Sequence, residues 1–308
     1  MHLRAAKVYF DGSHYTAIPP NAFPHRKKKS KTAKKEYKQK EEIVPNSNSP
    51  PNVQKEKFET AYKESLSLPK KERKSYIEKR LADTFSNEEE LKTFVDENIE
   101  RAKTNSIRRI VRLYRKINLQ KWDYFVTFTY SNELHTEESF RKKLSNTLKH
   151  LVSRKGWKYV GVWERGGDTD RLHFHGIFHI PKDSMIGKIV EVEDYDTKNH
   201  RRQKILQNTH FLKHFGRNDF RKICLPDDVS SAVKYITKYM EKSGEKLVYG
   251  GKLPTYFLSD ILEEDIICPI GVDDRKALLF DNFMCIDEGT IMGNVSPEII
   301  EQMPKCNW

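Results

Sequence analysis

The chain has 308 residues and is strongly basic: 56 lysine and arginine residues against 44 acidic residues give a formal net charge of +12. Charged residues make up 32% of it and hydrophobic residues 37%, so part of its length is expected to lie outside a packed core. The charge favours a polyanionic partner, because lysine and arginine displace counterions from phosphates, although a solvated lysine-rich surface has the same composition.

The cysteines and the hydropathy exclude other classes of protein. The four cysteines form no CxxC pair, which argues against a Cys-rich zinc site or a disulfide framework and favours a reducing compartment. The first residues, MHLRAAKVYF, lack the apolar run of a signal peptide, and no segment approaches a membrane span. We therefore expect a cytoplasmic protein with no membrane partner.

Residues 1–55 are predicted to form a basic, largely disordered tail with one short strand near Lys7–Phe10. The tail contains a run of like charges, His25–Lys40, followed by the breaker-rich segment Pro45–Asn52. Such a tail is either solvated or a nonspecific DNA-binding arm.

Residues 56–120 are predicted to form a helical extension. Ser86 or Asn87 suits the N-cap of a helix, and apolar residues recur at helical spacing as far as Tyr114. The arginines between them face either DNA or water, and three are candidate DNA-binding residues: Arg108, Arg109 and Arg112.

Residues 121–250 change to a pattern typical of strands. Trp122–Tyr130 is aromatic and β-branched, Phe140–Val152 is an amphipathic helix, and Tyr159–Glu164 and Arg171–Ile180 are strands that flank a polar turn. Then follow a polar insertion, one or two strands, and a helix: Lys182–Gln207, His214–Leu225 and Asp227–Lys242. This order, without a βαβ glycine motif, predicts an α+β fold with residues 251–308 as a C-terminal accessory segment.

The strand Arg171–Ile180 carries two histidines on one face. Side chains alternate in a strand, so His173 and His175 point away from Phe174 and Phe178, which suit a core. Two imidazoles two residues apart are near enough to bind one cation, although an HxH pair alone is a weak signal.

The hairpin before this strand supplies a carboxylate. If its turn is centred between Asp168 and Thr169, Glu164 lies directly opposite His173, and the three side chains form a His–His–carboxylate cluster. A register slip of one residue would destroy it. Asp170 is the competing third ligand, and His179 is expected to have a structural or substrate-proximal role.

The last helix carries four polar side chains on one face: Tyr235, Lys238, Tyr239 and Lys242. A phenol with a pKa near 10 is a poor nucleophile at neutral pH. A neighbouring ammonium favours the phenolate, and a divalent cation makes a phosphate a better target, so attack would give a phosphotyrosine linkage. The alternative is an amphipathic surface helix with half-buried tyrosines.

Three motifs carry a family resemblance. FVTFTY (Phe125–Tyr130), LHFHG (Leu172–Gly176) and YITKYMEK (Tyr235–Lys242) resemble, in order, those of the HUH-superfamily rolling-circle replication initiators, above all the replication-associated proteins of microviruses, filamentous phages and related plasmids. The resemblance implies a central, five-stranded antiparallel sheet with flanking helices. It also implies nicking of single-stranded origin DNA in a bacterial cell, with a 5′-phosphotyrosine and a free 3′-hydroxyl.

The resemblance also implies a role for each matching residue. His173 and His175 match the metal ligands, Glu164 the acidic third ligand, and Mn²⁺ or Mg²⁺ the cofactor. Tyr235 matches the nucleophile with Lys238, and with Lys242, as its cationic neighbours; Tyr239 matches a second tyrosine. Two threonines of the first motif are expected to contact DNA: Thr127 and Thr129. No Walker motif occurs, so unwinding and synthesis are expected to need a host helicase and polymerase.

Three alternatives stay open. A transposase or a mobilisation nickase of the same superfamily would use the same residues. A two-histidine metal hydrolase would need more ligands, yet His200, His210 and His214 lie in polar sequence without a clear pattern. A nucleic-acid-binding protein without catalysis would leave the histidine pair and the tyrosine helix unexplained.

Overall fold

The computed structural model describes residues 3–20, 51–166, 170–196, 200–243, 246–270 and 276–306; at 51–52, 196, 226–227 and 240–243 it describes the backbone alone. These residues form an α+β structure with antiparallel sheets, as the sequence predicts. They divide into two compact units: the first combines residues up to Leu119 with Pro254–Cys306, and the second is Gln120–Leu253. No helix in these described ranges is both long and apolar enough to cross a membrane.

The elements are numbered along the chain. The strands are β1 (Leu3–Phe10), β2 (Tyr15–Ile18), β3 (Tyr124–Thr129), β4 (Lys158–Arg165), β5 (Leu172–His179), β6 (Ile189–Asp196), β7 (Arg201–Asn208), β8 (Asn218–Lys222), β9 (Val248–Gly250), β10 (Tyr256–Ile261), β11 (Ile266–Ile270), β12 (Lys276–Leu279), β13 (Met284–Asp287), β14 (Thr290–Asn294) and β15 (Lys305–Cys306). The helices are α1 (Pro51–Ser65), α2 (Arg73–Leu81), α3 (Glu88–Ile117), α4 (Glu137–Lys155), α5 (Thr209–Phe215), α6 (Pro226–Ser243) and α7 (Pro297–Gln302).

The first unit contains an eight-stranded sheet in the order β11-β12-β2-β1-β10-β13-β14, with β15 paired to β10. Its strands come from both ends of the chain: Lys7 pairs with Leu258, and Val8 and Phe257 are buried in one core. Residues 3–18, expected within the basic tail, therefore form strands, and the expected accessory segment supplies their partners. The alternation in β1 is too short to reveal a partner so far along the chain. The charge run His25–Lys40 lies outside the described residues.

The helices of the first unit follow the helical pattern of the sequence. α3 is one continuous helix, and the side chain of Asn87 caps it by accepting a hydrogen bond from the backbone N–H of Glu89. Its N-terminal half packs against α1 and α2 through apolar side chains that include Phe58, Ile77 and Val95. The helical extension is thus held by a hydrophobic core and not by propensity alone.

The second unit is built on a five-stranded antiparallel sheet in the order β8-β3-β5-β4-β9. The predicted hairpin register of β4 and β5 is confirmed: Glu164 pairs with His173, Trp163 with Phe174, and Val162 with His175. One face of the sheet carries Phe174 and is covered by α4 and α5, whereas α6 lies against β4 and β5. Side-chain alternation therefore places the histidines on the face opposite α4 and α5.

Two segments of the second unit differ from expectation. The polar insertion contains the two-stranded ribbon β6–β7, whose strands pair without interruption from Ile189–Asn208 to Asp196–Arg201. The segment His214–Leu225, expected as one or two strands, contains the end of α5 and the single strand β8. In the ribbon, charged side chains occupy both faces toward its tip, so the hydrophobic alternation that marks a half-buried strand is missing.

Candidate active site

Two threonines of β3 orient the two histidines of β5. Oγ1 of Thr127 lies 3.0 Å from Nδ1 of His175, and Oγ1 of Thr129 lies 3.1 Å from Nδ1 of His173. The β3–β5 register pairs the same residues, so each contact follows from the sheet itself. Both imidazoles thus turn Nδ1 toward β3, which leaves each Nε2 for other partners.

Glu164 joins the pair from β4. Its Oε2 atom lies 2.7 Å from Nε2 of His175, and its side chain is only 11% exposed. Burial raises the pKa of Glu164, but hydrogen bonds from His175, Tyr239 and Tyr235 outweigh it and hold that pKa below its usual value. The carboxyl group is therefore ionised at neutral pH.

His173 is half-buried beside this cluster. Burial and the nearby charge of His175 lower the pKa of His173 to about 4. The imidazole of His173 is therefore neutral at physiological pH, which is the state in which a histidine can bind a metal.

Helix α6 brings its two tyrosines to the same place. The hydroxyl of Tyr235 donates a hydrogen bond to Oε2 of Glu164 at 3.1 Å and lies 3.5 Å from Nε2 of His175. The hydroxyl of Tyr239 donates to the oxygen of Tyr235 at 3.4 Å. Val233 and Ile236 are buried on the other side of the helix, which fixes the face that the tyrosines present.

The pKa of Tyr235 is raised, not lowered. The causes are burial, the hydrogen bond from Tyr239 and the negative charge of Glu164. Burial also raises the pKa of Tyr239. In this arrangement Tyr235 is a neutral hydrogen-bond donor.

The predicted lysines do not contact the Tyr235 hydroxyl in the structure. The ammonium of Lys238 lies over the ring of Tyr239, 5.7 Å from its centre, and within the described residues Lys238 makes no hydrogen bond or ion pair. The side chain of Lys242 lies outside the described residues. The candidate arginines of α3 are all exposed and belong to the first unit: Arg108, Arg109 and Arg112.

The two other candidates of the hairpin lie apart from the cluster. Asp170 is in the turn, its carboxylate is 84% exposed, and its nearest cation is Arg165. His179 is at the far end of β5, where its Nδ1 atom lies 3.0 Å from Oδ2 of Asp123. Glu164 is thus the carboxylate that meets the histidines, and His179 contacts a structural carboxylate.

The sheet brings further residues to the histidine face that the sequence analysis missed. Phe125 stacks near His175, with ring centres 6.2 Å apart, and meets Tyr235 edge-on at 5.6 Å. The β3–β8 register adds Asp219 beside Thr127 and Arg221 beside Phe125. The alternation Phe125, Thr127, Thr129 could have found Phe125, whereas nothing local in the sequence pairs β8 with β3.

The donor set of this cluster suits a metal in type but not yet in position. Among the described residues, no group of three His, Cys, Asp or Glu side chains already surrounds a common ion position. The reason lies in Glu164, because its bond to Nε2 of His175 occupies the direction in which that nitrogen would bind a cation. The donor types and the orientation of Nδ1 do suit a metal ligand, whose second nitrogen is usually fixed by a hydrogen bond.

Comparisons with known proteins bear on this unit. A comparison with curated proteins and one with solved structures each gave no match. The matched region of a family model begins at the first residue before β3 and ends after α6, so it contains both histidines and both tyrosines. Residues 123–244 match the family of the replication-associated protein ORF2, which supports a role as a replication initiator.

Proposed function

We propose that this chain is a replication initiator of the HUH type that nicks single-stranded origin DNA with Tyr235. The observation that carries the proposal is the position of the Tyr235 hydroxyl, 3.1 Å from Oε2 of Glu164 and 3.5 Å from Nε2 of His175. A phenol, a carboxylate and an imidazole meet on one sheet face. The family match of residues 123–244 supports the same reading.

The reaction is a phosphoryl transfer to the phenol oxygen. The oxygen of Tyr235 forms a bond to the scissile phosphorus, and the bond from that phosphorus to the 3′ oxygen breaks. The phenol loses its proton, for which Oε2 of Glu164 is an acceptor within reach, and the departing 3′ oxygen takes one up. The products are a 5′-phosphotyrosine and a 3′-hydroxyl, and the reverse reaction rejoins strands.

His173, His175 and Glu164 are the residues that would hold Mn²⁺ or Mg²⁺. Ligand atoms of one such cation lie about 3 Å apart if each is about 2.1 Å from it. The 2.7 Å between Glu164 and His175 is close to this separation, so a small rotation of the carboxylate suffices. A bound divalent cation would withdraw electrons from the scissile phosphate and offset the negative charge that raises the pKa of Tyr235.

The threonine contacts allow this change without movement of the rings. A threonine hydroxyl both donates and accepts, so Thr127 serves His175 in either tautomer. When Nε2 of His175 donates to Glu164, Nδ1 accepts from Thr127. When Nε2 offers its lone pair, Nδ1 donates to Thr127 instead.

A covalent adduct is the direct test. Wild-type protein, 5′- or 3′-labelled single-stranded origin DNA and Mn²⁺ should give a protein–DNA adduct that survives denaturation, and the label position should identify a 5′-phosphate linkage. Tyr235→Phe should abolish the adduct, while the matched variant Tyr239→Phe should keep one round of cleavage. An adduct from Tyr235→Phe at the wild-type level would move the nucleophile to Tyr239. Cleavage that persists in EDTA would overturn the role of the metal.

A nucleic-acid-binding protein without catalysis is the second candidate. It is favoured by the raised pKa of Tyr235 and by the hydrogen bond that ties this phenol to Glu164. It predicts DNA binding with no adduct under any metal condition. A transposase or a mobilisation nickase would also form the adduct, but on DNA other than a replication origin.

A further inference from the structure

A groove lies between α4 and α5, which cover the aromatic face of the five-stranded sheet. It has a volume of about 450 Å³ and is lined by polar side chains of both helices: Lys143, Asn146, Thr147, His150, His210 and His214. Because the sheet separates this groove from the face that carries His175 and Tyr235, the groove is not part of the candidate active site.

The charges at the groove are of one sign. No acidic residue lines it. Lys143 is exposed and, within the described residues, forms no ion pair, and the same holds for Lys213 on α5. The ion pair of Glu137 with Arg165 involves the first residue of α4, away from the groove. The groove therefore presents a cation without a carboxylate partner.

The histidines of α5 reinforce this polarity. The rings of His210 and His214 lie on successive turns with their centres 4.6 Å apart. Burial and the charges of His214 and Lys213 lower the pKa of His210. A positive potential of this kind repels protons, and it attracts anions for the same reason.

A transition-metal ion does not fit the same groove. Across the described residues, no three histidine, cysteine or acidic side chains converge on an ion position. His135, the fourth histidine of the groove, already uses Nε2 to bind the backbone carbonyl of His214 at 2.7 Å. The ammonium of Lys143 would also oppose a bound cation.

We propose that this groove binds the phosphate backbone of a single DNA strand, as a second DNA site distinct from the candidate active site. Lys143 neutralises phosphate charge, the imidazoles donate hydrogen bonds through ring N–H groups, and Asn146 and Thr147 add neutral donors. The groove carries no aromatic platform comparable to Phe125, so the contact is to the backbone and is independent of sequence. It adds affinity without touching the reacting phosphate.

The test is DNA binding by two charge-reversal variants of one helix. Lys143 and Lys142 are adjacent, exposed lysines of α4, and only Lys143 lines the groove. Both changes are made in the Tyr235→Phe background, so that no cleavage occurs, and binding of a labelled oligothymidylate is followed by fluorescence anisotropy across a salt series. Lys143→Glu should raise Kd about tenfold at low salt and reduce the salt slope by about 0.7, the value of one single-strand phosphate contact. Lys142→Glu should change Kd less than about twofold.

A second measurement locates the DNA directly. Bound oligothymidylate should slow the carbethoxylation of His210 and His214 by diethyl pyrocarbonate, read by mass spectrometry, at least about threefold relative to His14 of the first unit. Equal effects of the two lysine variants, or no protection of the α5 histidines, would overturn the proposal. So would binding at the groove that requires Zn²⁺ and is lost in EDTA. Absence of any adduct from the wild-type protein would count against the nickase alone, because none of these readouts depends on cleavage.

Discussion

The hydroxyl of Tyr235 donates a hydrogen bond to Oε2 of Glu164, the same oxygen that contacts Nε2 of His175. One carboxylate oxygen thus joins the nucleophile proposed for the reaction to the proposed metal ligand. This relationship has two consequences: the phenol is held in its neutral form, and the carboxylate is held in its charged form. Any step that uses Tyr235 as a nucleophile must break or reverse this pairing.

Replacing Glu164 by glutamine should separate the two candidate carboxylates of the hairpin. Glutamine keeps the size of the side chain but removes the charge that attracts a cation, so Glu164→Gln should raise the Mn²⁺ concentration for half-maximal adduct formation by at least about tenfold. Asp170→Asn is the matched control, since its carboxylate is exposed in the adjacent turn. A larger effect of Asp170→Asn than of Glu164→Gln would transfer the ligand role to Asp170.

Thr127→Val should weaken the response to metal more than the binding of DNA. Valine has the shape of threonine but cannot hold Nδ1 of His175, and loss of such an orienting contact typically costs about tenfold or more in metal affinity. The measurements are a Mn²⁺ titration of adduct formation and the anisotropy of labelled single-stranded DNA. Weaker DNA binding with an unchanged Mn²⁺ requirement would instead support Thr127 as the DNA contact expected from the sequence.

Arg221→Ala should weaken DNA binding on the active-site face. Arg221 is exposed, pairs with Phe125 across the sheet and lies on the side of β3 away from the two histidines. Loss of one phosphate contact should raise Kd about threefold to fivefold and lower the salt slope by about 0.7. Lys222→Ala is the control, because the next residue of β8 points to the opposite face. Equal losses in the two variants would show that net charge alone decides the effect.

Short-range patterns predicted the centre of the site. The register of Glu164 and His173 depends on a turn of a few residues, and the tyrosine face of α6 depends on spacings within one helix, so both could be found from adjacent sequence. The missed residues depend on pairings between distant segments. Arg221 reaches the site only because β8 pairs with β3, and the groove exists only because α4 and α5 cover the same sheet face. Likewise β1 finds its partner in β10, almost at the other end of the chain.

Asp123 provides a test of acid stability that is independent of catalysis. Its Oδ2 atom accepts a hydrogen bond from the backbone N–H of Ile180 at 2.7 Å and lies 3.0 Å from Nδ1 of His179, which ties the start of β3 to the end of β5. Burial raises the pKa of Asp123, but the contacts with His179 and Ile180 outweigh it and lower that pKa below its usual value. The charged form is thus favoured in the folded protein relative to the unfolded chain.

The sign of the pH dependence follows from this lowered pKa. A carboxyl whose pKa is depressed on folding contributes stability that is fully present above its unfolded pKa of about 3.9, and that is lost as pH falls through the folded value. Asp123→Asn should therefore lower the free energy of unfolding by about 1 kcal/mol at pH 7, and the difference from wild type should shrink below about pH 4. Urea unfolding at pH 7 and pH 3 measures it, with Asp183→Asn, an exposed carboxyl in the next turn, as the control. A difference that is as large at pH 3 as at pH 7 would mean that the substitution disturbs packing and that the charge of Asp123 contributes nothing.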